Sequence, residues 1–292
     1  MPSFVLETDH GLISITDTGL KNDKPALLLI HGNSSSSKIF RHILESKALT
    51  ERWRIIAFDL PGHGASSNAP DPDKTYWMRG YADLAMHILQ HLNIPRVVVF
   101  GWSLGGHVGI EMVPLLASIS SPPIEIKGLM LTGTPPALGK EQMKRGFKFQ
   151  DGDLGLAGKK DWSEEEAQGV ARYSAAAGKE ECFEAWMLED ARRTDGRARV
   201  IMSRRLAGNE SEAPAGVDQR KVVETEEVLI AVVNGGAEQF VNLDYLDDLR
   251  WRRLWRGRCI ALEGLKHAPF WERPDEFEGL LLEFMGDCEK EV

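Results

Sequence analysis

Cysteine is scarce in this sequence: Cys182, Cys259 and Cys288 are the only three in 292 residues, widely spaced and odd in number. No C-x-x-C pair occurs, which excludes a zinc knuckle or a disulfide framework and leaves three reduced thiols in a reducing compartment as the expectation. Metal-binding runs such as H-x-H-x-D-H or H-E-x-x-H are missing as well. So are the loops G-x-G-x-x-G and G-x-x-x-x-G-K-[ST], and the expected chemistry therefore uses no metal and no cofactor. Positive charge is in deficit, with 35 Lys and Arg against 44 Asp and Glu and a formal net charge of -9. Nucleic acid is excluded as the main partner, because neutralising phosphates takes clustered Lys and Arg. No apolar run approaches the ~20 residues of a membrane helix, so no membrane insertion is expected. Residues 1–10 carry no basic segment followed by an apolar run, so a signal peptide is not expected either, and the protein reads as cytoplasmic.

What is present is the material of one large core, with 42% hydrophobic and 27% charged residues. The first half alternates strand-like and helix-like segments. Continuous aliphatic runs at residues 26–30, 53–58, 96–100 and 128–132, each bounded by Gly or Pro, suit strands buried on both faces of a parallel sheet. Between them, Tyr81, Leu84, Ala85, Ile88, Leu89 and Leu92 recur at helical spacing up to Pro95, and a second helix opens behind Ser103. This alternation predicts an α/β fold with a doubly wound, mostly parallel sheet flanked by helices. From residue 137 to 222 the pattern changes to helices without strands. Ser163-Glu-Glu-Glu166 has the form of a capping box, and Thr194-Asp-Gly196 separates two further helices. The expected organisation is a core of residues 1–136 and 223–292 with a helical cap of residues 137–222. Core strands resume at 228–233 and 258–262, followed by a last amphipathic helix near 273–288 with Pro274 in its first turn.

The sharpest motif is Gly101-Trp-Ser-Leu-Gly105, placed after a strand and before a helix. In that context G-x-S-x-G is a nucleophile elbow: a tight strand-to-helix turn lifts the Ser103 oxygen above the sheet, and the glycines avoid backbone collisions. A serine hydroxyl needs a base. Of the eight histidines, His31 and His63 sit in turns, and His87 and His91 lie on the outer face of a helix. His107 lies on the helix leading away from Ser103, and His10 and His42 have no chemical context. His267 follows the last strand, where the chain order Ser…acid…His requires the base. The acid belongs after the strand at 228–233; Glu238 is the first carboxylate there, with Asp244, Asp247 and Asp248 as rivals further on. An oxyanion hole is expected from the N–H of Leu104 and the N–H of Asn33 in the loop after the first core strand. The Asn33 side chain could contact substrate or fix its loop.

With these motifs in place, the sequence resembles the α/β-hydrolase-fold N-acyl-homoserine lactonases of the AidH type. The matching stretches are His31-Gly-Asn-Ser-Ser-Ser36, Asp59-Leu-Pro-Gly-His-Gly64, the segment from Gly101 to Met112, Leu131-Thr-Gly-Thr-Pro-Pro136, Arg193-Thr-Asp-Gly-Arg-Ala-Arg199 and His267-Ala-Pro-Phe270. The resemblance implies metal-free opening of the homoserine lactone ring, with Ser103, His267 and Glu238 as triad and Asn33 and Leu104 around the oxyanion. It also implies an acyl pocket between core and cap, with Trp102 and Phe270 as lining candidates. A cap tyrosine that the family uses near substrate falls at Val170, with Tyr173 a helical turn away, so both are substrate-binding candidates. The segments 118–125 and 208–219 are longer than the family's, which bears on substrate preference rather than reaction type.

Three readings follow: a lactonase taking a small-molecule lactone, an esterase or carbon–carbon hydrolase with the same triad, and a receptor that keeps the fold without turnover. Specificity lives in the cap, so the fold does not choose between the first two. A complete triad weighs against the third. None of the three implies a particular oligomeric state.

Overall fold

The computed structural model describes residues 2–118, 124–148, 155–176, 178–208 and 216–290. Eight strands form one sheet: β1 (Ser3–Thr8), β2 (Gly11–Asp17), β3 (Ala26–Ile30), β4 (Ile55–Phe58), β5 (Arg96–Trp102), β6 (Glu125–Thr132), β7 (Ile230–Gly235) and β8 (Ile260–Leu262). Their order is β1-β2-β4-β3-β5-β6-β7-β8. β1 and β2 pair antiparallel, β2 pairs antiparallel with β4, and every pairing from β4 through to β8 is parallel.

Side chains alternate across the strands and feed two hydrophobic layers. Leu28, Ile30, Val97 and Val99 point into one, and Leu27, Leu29, Val98, Phe100 and Trp102 into the other. The first layer is closed by α1 (Met78–His91) and α2 (Leu104–Ala117), the second by the C-terminal helix, whose Phe277, Leu281 and Phe284 are buried. Both faces are thus covered, the condition under which strands become uniformly apolar.

Between β6 and β7 the described chain carries α3 (Lys140–Gly146), α4 (Glu164–Val170), α5 (Ala185–Arg193), α6 (Gly196–Leu206) and α7 (Gln219–Thr225). The Ser163 capping box forms, and Asp195 caps α6 after the break at residue 194. The boundary expected at 222 and 223 falls inside α7, whose Val222 and Val223 are buried in the same layer as α2. Of the two segments expected to be long, residues 119–123 and 209–215 lie outside the described residues.

The Arg193–Arg199 motif fastens this insertion. Arg193 donates to the carbonyls of Gly62 and Ser66, and Asp195 accepts from the Tyr76 hydroxyl at 2.8 Å. Arg199, 4% exposed, donates to the carbonyls of Lys159 (2.8 Å) and Lys160 (2.6 Å) and lies 3.8 Å from the Trp162 ring centroid. Burial lowers its pKa to about 10. Among the described residues no helix is long and apolar enough to cross a membrane.

One buried carboxyl in the core is under electrostatic load. Glu111 on α2 is fully buried; its Oε1 accepts from the Val217 N–H at 2.8 Å, and Oε2 has no partner among the described residues. Burial raises its pKa to about 7, against an ordinary 4.5. Because the folded value lies above the unfolded one, folding carries no penalty from this group below the unfolded value. The penalty grows as pH rises from there through 7, reaching on the order of 3 kcal/mol. Glu111→Gln is expected to flatten that dependence, melting above the wild type at pH 8 and close to it at pH 4.5. A thermal scan at the two values reads the difference directly.

Candidate active site

The parallel strands β3, β5, β6, β7 and β8 end on one edge of the sheet, and the segments leaving that edge carry Asn33, Ser103, Glu238 and His267. This is where open α/β sheets bind ligands. Ser103 sits between β5 and α2 with φ +54° and ψ −118°. Such a backbone is costly for a residue with a Cβ, on the order of 1–3 kcal/mol, and persists only where its surroundings enforce it. The enforcement is visible in the flanking glycines. A Cβ on Gly105 would stand 1.9 Å from the Ile30 carbonyl oxygen, and one on Gly101 2.4 Å from the Gly105 oxygen. The Ser103 N–H donates to the Thr132 carbonyl at 2.8 Å, and the Thr134 hydroxyl donates to the Ser103 carbonyl at 2.8 Å.

His267 lies on the loop after β8, 5% exposed. Its carbonyl accepts from the Trp102 indole N–H at 2.8 Å, which pins the loop to the end of β5. Its ring is held edge-to-face by Phe240, with centroids 4.8 Å apart. Nδ1 lies 2.8 Å from Glu238 Oε2, leaving Nε2 as the ring nitrogen for the cavity that His267 and Ser103 both line. Glu238, on the loop after β7, is 2% exposed, and its Oε1 accepts from the Phe240 N–H at 2.8 Å. Burial pushes its carboxyl pKa up, but His267 and the N–H groups of Phe240 and Gln239 outweigh that, and the net shift is downward. An ionised carboxylate is therefore favoured beside the imidazole. The rivals Asp244, Asp247 and Asp248 are all exposed.

Asn33 and Leu104 line the same cavity as Ser103. Leu104 is the first residue of α2, so its N–H has no partner within the helix and lies at the positive end of the dipole. The Asn33 side chain donates to the Ala157 carbonyl at 3.0 Å, tying its loop to the insertion. Above them the cavity, about 370 Å³, is walled by Phe147, Trp162, Val170, Tyr173, Met202 and Leu206. Val170 and Tyr173 both stand in the wall. Val170 precedes, and Tyr173 lies within, a π-helical turn at Ala171–Ala175, tethered by a bond from Gln239 Nε2 to the Tyr173 carbonyl at 2.7 Å.

Trp102 and Phe270 require a correction. Neither lines the cavity: both are 1% exposed and pack on each other beneath the site, centroids 5.6 Å apart. Trp102 shares the strand face of Val98 and Phe100, which points into the second layer, so its contribution is to support His267 from below.

Two residues were not assigned roles from sequence. His107, set aside because it lies on the helix leading away, lines the cavity one turn beyond Ser103. Gly133, in the Thr132-Gly-Thr-Pro-Pro136 motif, has φ +65°, and a Cβ there would lie 2.6 Å from His267 Cε1. Its N–H donates to Asn234 Oδ1 at 2.7 Å, so it cannot easily retreat. Gly133→Ala is expected to push the imidazole aside and lower kcat by about 10²-fold, since misplacement of about 1 Å has that effect. Unchanged kcat in a folded variant would show that the ring tolerates the displacement. The signal for Gly133 was the motif itself, but its purpose needs the neighbouring loop to be seen.

The remaining turn histidines serve the backbone. His31 Nε2 accepts from the Leu60 N–H at 2.9 Å, and the Nδ1 atoms of His31 and His63 lie within 3.1 Å of the Gly32 and Pro61 carbonyls respectively. Asp59 accepts from Ser37 and Ala65 N–H groups, a structural role. His87 and His91 are exposed.

The model of a family described as the alpha/beta hydrolase family matches residues 27–280. The crystal structure of N-acyl homoserine lactonase AidH complexed with N-butanoyl homoserine is 41% identical, covers 100% of this chain and 99% of its own, and superposes with a TM-score of 0.89. Among curated proteins, the magnesium-chelatase 30 kDa subunit of Rhodobacter capsulatus is 35% identical over 34% of this chain and 33% of its own. A proline iminopeptidase of Lactobacillus crispatus is 27% identical over 51% and 48%. The chain thus spans between a third and a half of those two curated relatives.

Proposed function

The chain belongs to the alpha/beta hydrolase family, in the branch that includes the lactonase AidH, and from that premise we propose that it hydrolyses the lactone ring of N-acyl-homoserine lactones. What carries the reading is the bond from His267 Nδ1 to Glu238 Oε2 at the floor of an apolar cavity that Ser103 also lines. A relative alike over its whole length holds a ring-opened N-acyl homoserine.

In the proposed reaction His267 Nε2 takes the Ser103 proton as Oγ attacks the lactone carbonyl. The N–H groups of Asn33 and Leu104 receive the oxyanion, an interaction worth ~2.7–4 kcal/mol per donor in such sites. Collapse breaks the ring C–O bond, and His267 returns the proton to the departing alkoxide. The resulting acyl-enzyme carries its own leaving alcohol. Water, deprotonated by His267, attacks the ester carbonyl, and Ser103 leaves with the proton, releasing N-acyl-homoserine. Because the tethered alcohol can reclose the ring, deacylation has to outrun it. Every proton in this cycle moves between the chain's own residues, substrate and water.

The substrate is a small molecule, and the reading carries quorum quenching as its consequence, since these lactones are bacterial signals. The same proposal has the enzyme work in the cytoplasm. Mass spectrometry of an N-acyl-homoserine lactone incubated with the protein and a chelator, near neutral pH, tests the proposal. A gain of one water over a buffer control is expected. An intact lactone alongside cleavage of a simple aryl ester would establish the general esterase instead.

A further inference from the structure

His107 is the one histidine of the cavity wall that the reaction leaves unused. It is 4% exposed and follows Ser103 by one turn of α2, its N–H lying 3.4 Å from the Ser103 carbonyl. Its Nδ1 is 2.7 Å from Oε1 of Gln219, which is itself fully buried. The same Oε1 accepts from the Ala137 N–H at 3.4 Å, which identifies that atom as the amide oxygen. An amide oxygen cannot donate, so the proton of a neutral His107 sits on Nδ1, and Nε2 carries the lone pair. Burial lowers the pKa of His107 to about 4, so the ring is neutral across the range in which such enzymes work. The wall around it is apolar, with Leu104, Phe147, Met202 and Leu206 on the same cavity. One acceptor in an apolar wall leaves a cost unless the bound molecule brings a donor to it.

We propose that His107 is a specificity-determining residue whose Nε2 accepts a hydrogen bond from the hydroxyl of a β-hydroxyacyl chain. This rests on the lactonase reading above. Two donors in such a substrate compete for the role. The amide N–H lies one atom from the reacting centre, roughly 2.5 Å from the carbonyl carbon, and stays near Ser103. His107 stands four residues further along the helix, about 6 Å along the axis, which matches the β-carbon of the acyl chain. A β-oxo group in the same place would set lone pair against lone pair, and an unsubstituted chain would leave the acceptor unpaired.

The test compares kcat/KM for three N-acyl-homoserine lactones of one chain length, unsubstituted, β-oxo and β-hydroxy. Wild type is expected to favour the β-hydroxy compound over both others by about five- to tenfold, the range of one neutral hydrogen bond. His107→Leu should bring the β-hydroxy to unsubstituted ratio to within about twofold of unity. His107→Gln, whose amide offers an acceptor and a donor, should keep the preference over the unsubstituted chain and lose it against β-oxo. A flat wild-type profile overturns the proposal, and so does an equal loss on all three substrates in His107→Leu, which would give the acceptor to the shared amide N–H. Should that variant fail to fold, the wild-type profile and His107→Gln still decide. No turnover of any lactone by wild type would overturn the lactonase reading and this one with it, a result distinct from turnover without discrimination.

Discussion

Ser103→Gly protein is expected to lose hydrolysis by a factor of about 10⁴ to 10⁶ while melting several degrees above the wild type. The two effects share one cause. The nucleophile reaches the cavity only because the backbone at residue 103 is held at φ +54° and ψ −118°, a conformation glycine adopts freely and serine does not. Removing the Cβ releases about 1–3 kcal/mol of strain and removes the attacking oxygen at the same stroke. The flanking architecture stays, because the close approaches of Gly101 and Gly105 to neighbouring carbonyls are unaffected. Turnover should be followed by product mass spectrometry and stability by differential scanning calorimetry on the same preparation. A fall in rate without a gain in stability would mean that the strain at the elbow is relaxed elsewhere. A rate within tenfold of wild type would remove Ser103 from the mechanism altogether.

How far the sequence disclosed this site depends on the distance over which each residue acts. Ser103 was legible because its requirement is local: a strand, a glycine-flanked turn and a helix, all within a short stretch of chain. β3, β5 and β6 were legible through their buried stretches at residues 26–30, 97–100 and 128–131, where both faces are covered and no polar position interrupts the apolar run. β1 and β2 were not read. β1 is mostly exposed, and β2 buries only alternate residues, so neither makes a continuous apolar run. Glu238 and His267 could be located only through chain order relative to the strands; their 2.8 Å contact joins loops after β7 and β8 that no local pattern connects. Trp102 and Phe270 were misassigned for the same reason, since size and apolarity do not say which face of a sheet a residue occupies. His107 shows the converse error. A helix leading away from the nucleophile still presents its first turn to the cavity, and a residue four positions on lies on the same face.

Glu238→Gln should lower kcat by about 10⁴-fold with little change in fold, although it replaces one oxygen by an isosteric amide nitrogen. The Phe240 N–H decides which way the new amide faces. That donor, 2.8 Å from Oε1, requires an oxygen opposite it, so the new amide must turn its NH₂ group toward His267. In the wild type Oε2 accepts from Nδ1–H and leaves the Nε2 lone pair for the Ser103 proton. An amide donor in that place forces the lone pair onto Nδ1 and the proton onto Nε2, and the imidazole then offers Ser103 a hydrogen when it should take one. The buried carboxylate is also gone, so the imidazolium formed during attack loses its compensating charge. Glu238→Asp keeps the charge but shortens the reach, and is expected to fall between the two. The pair separates tautomer from fold, because circular dichroism and melting temperature should remain near wild type in both while the rates diverge. ¹⁵N chemical shifts of the His267 ring would read the proton directly, moving from Nδ1 in the wild type to Nε2 in Glu238→Gln. A Glu238→Gln enzyme within tenfold of wild-type kcat would assign the orienting role to another carboxylate, with Asp244 the next along the chain.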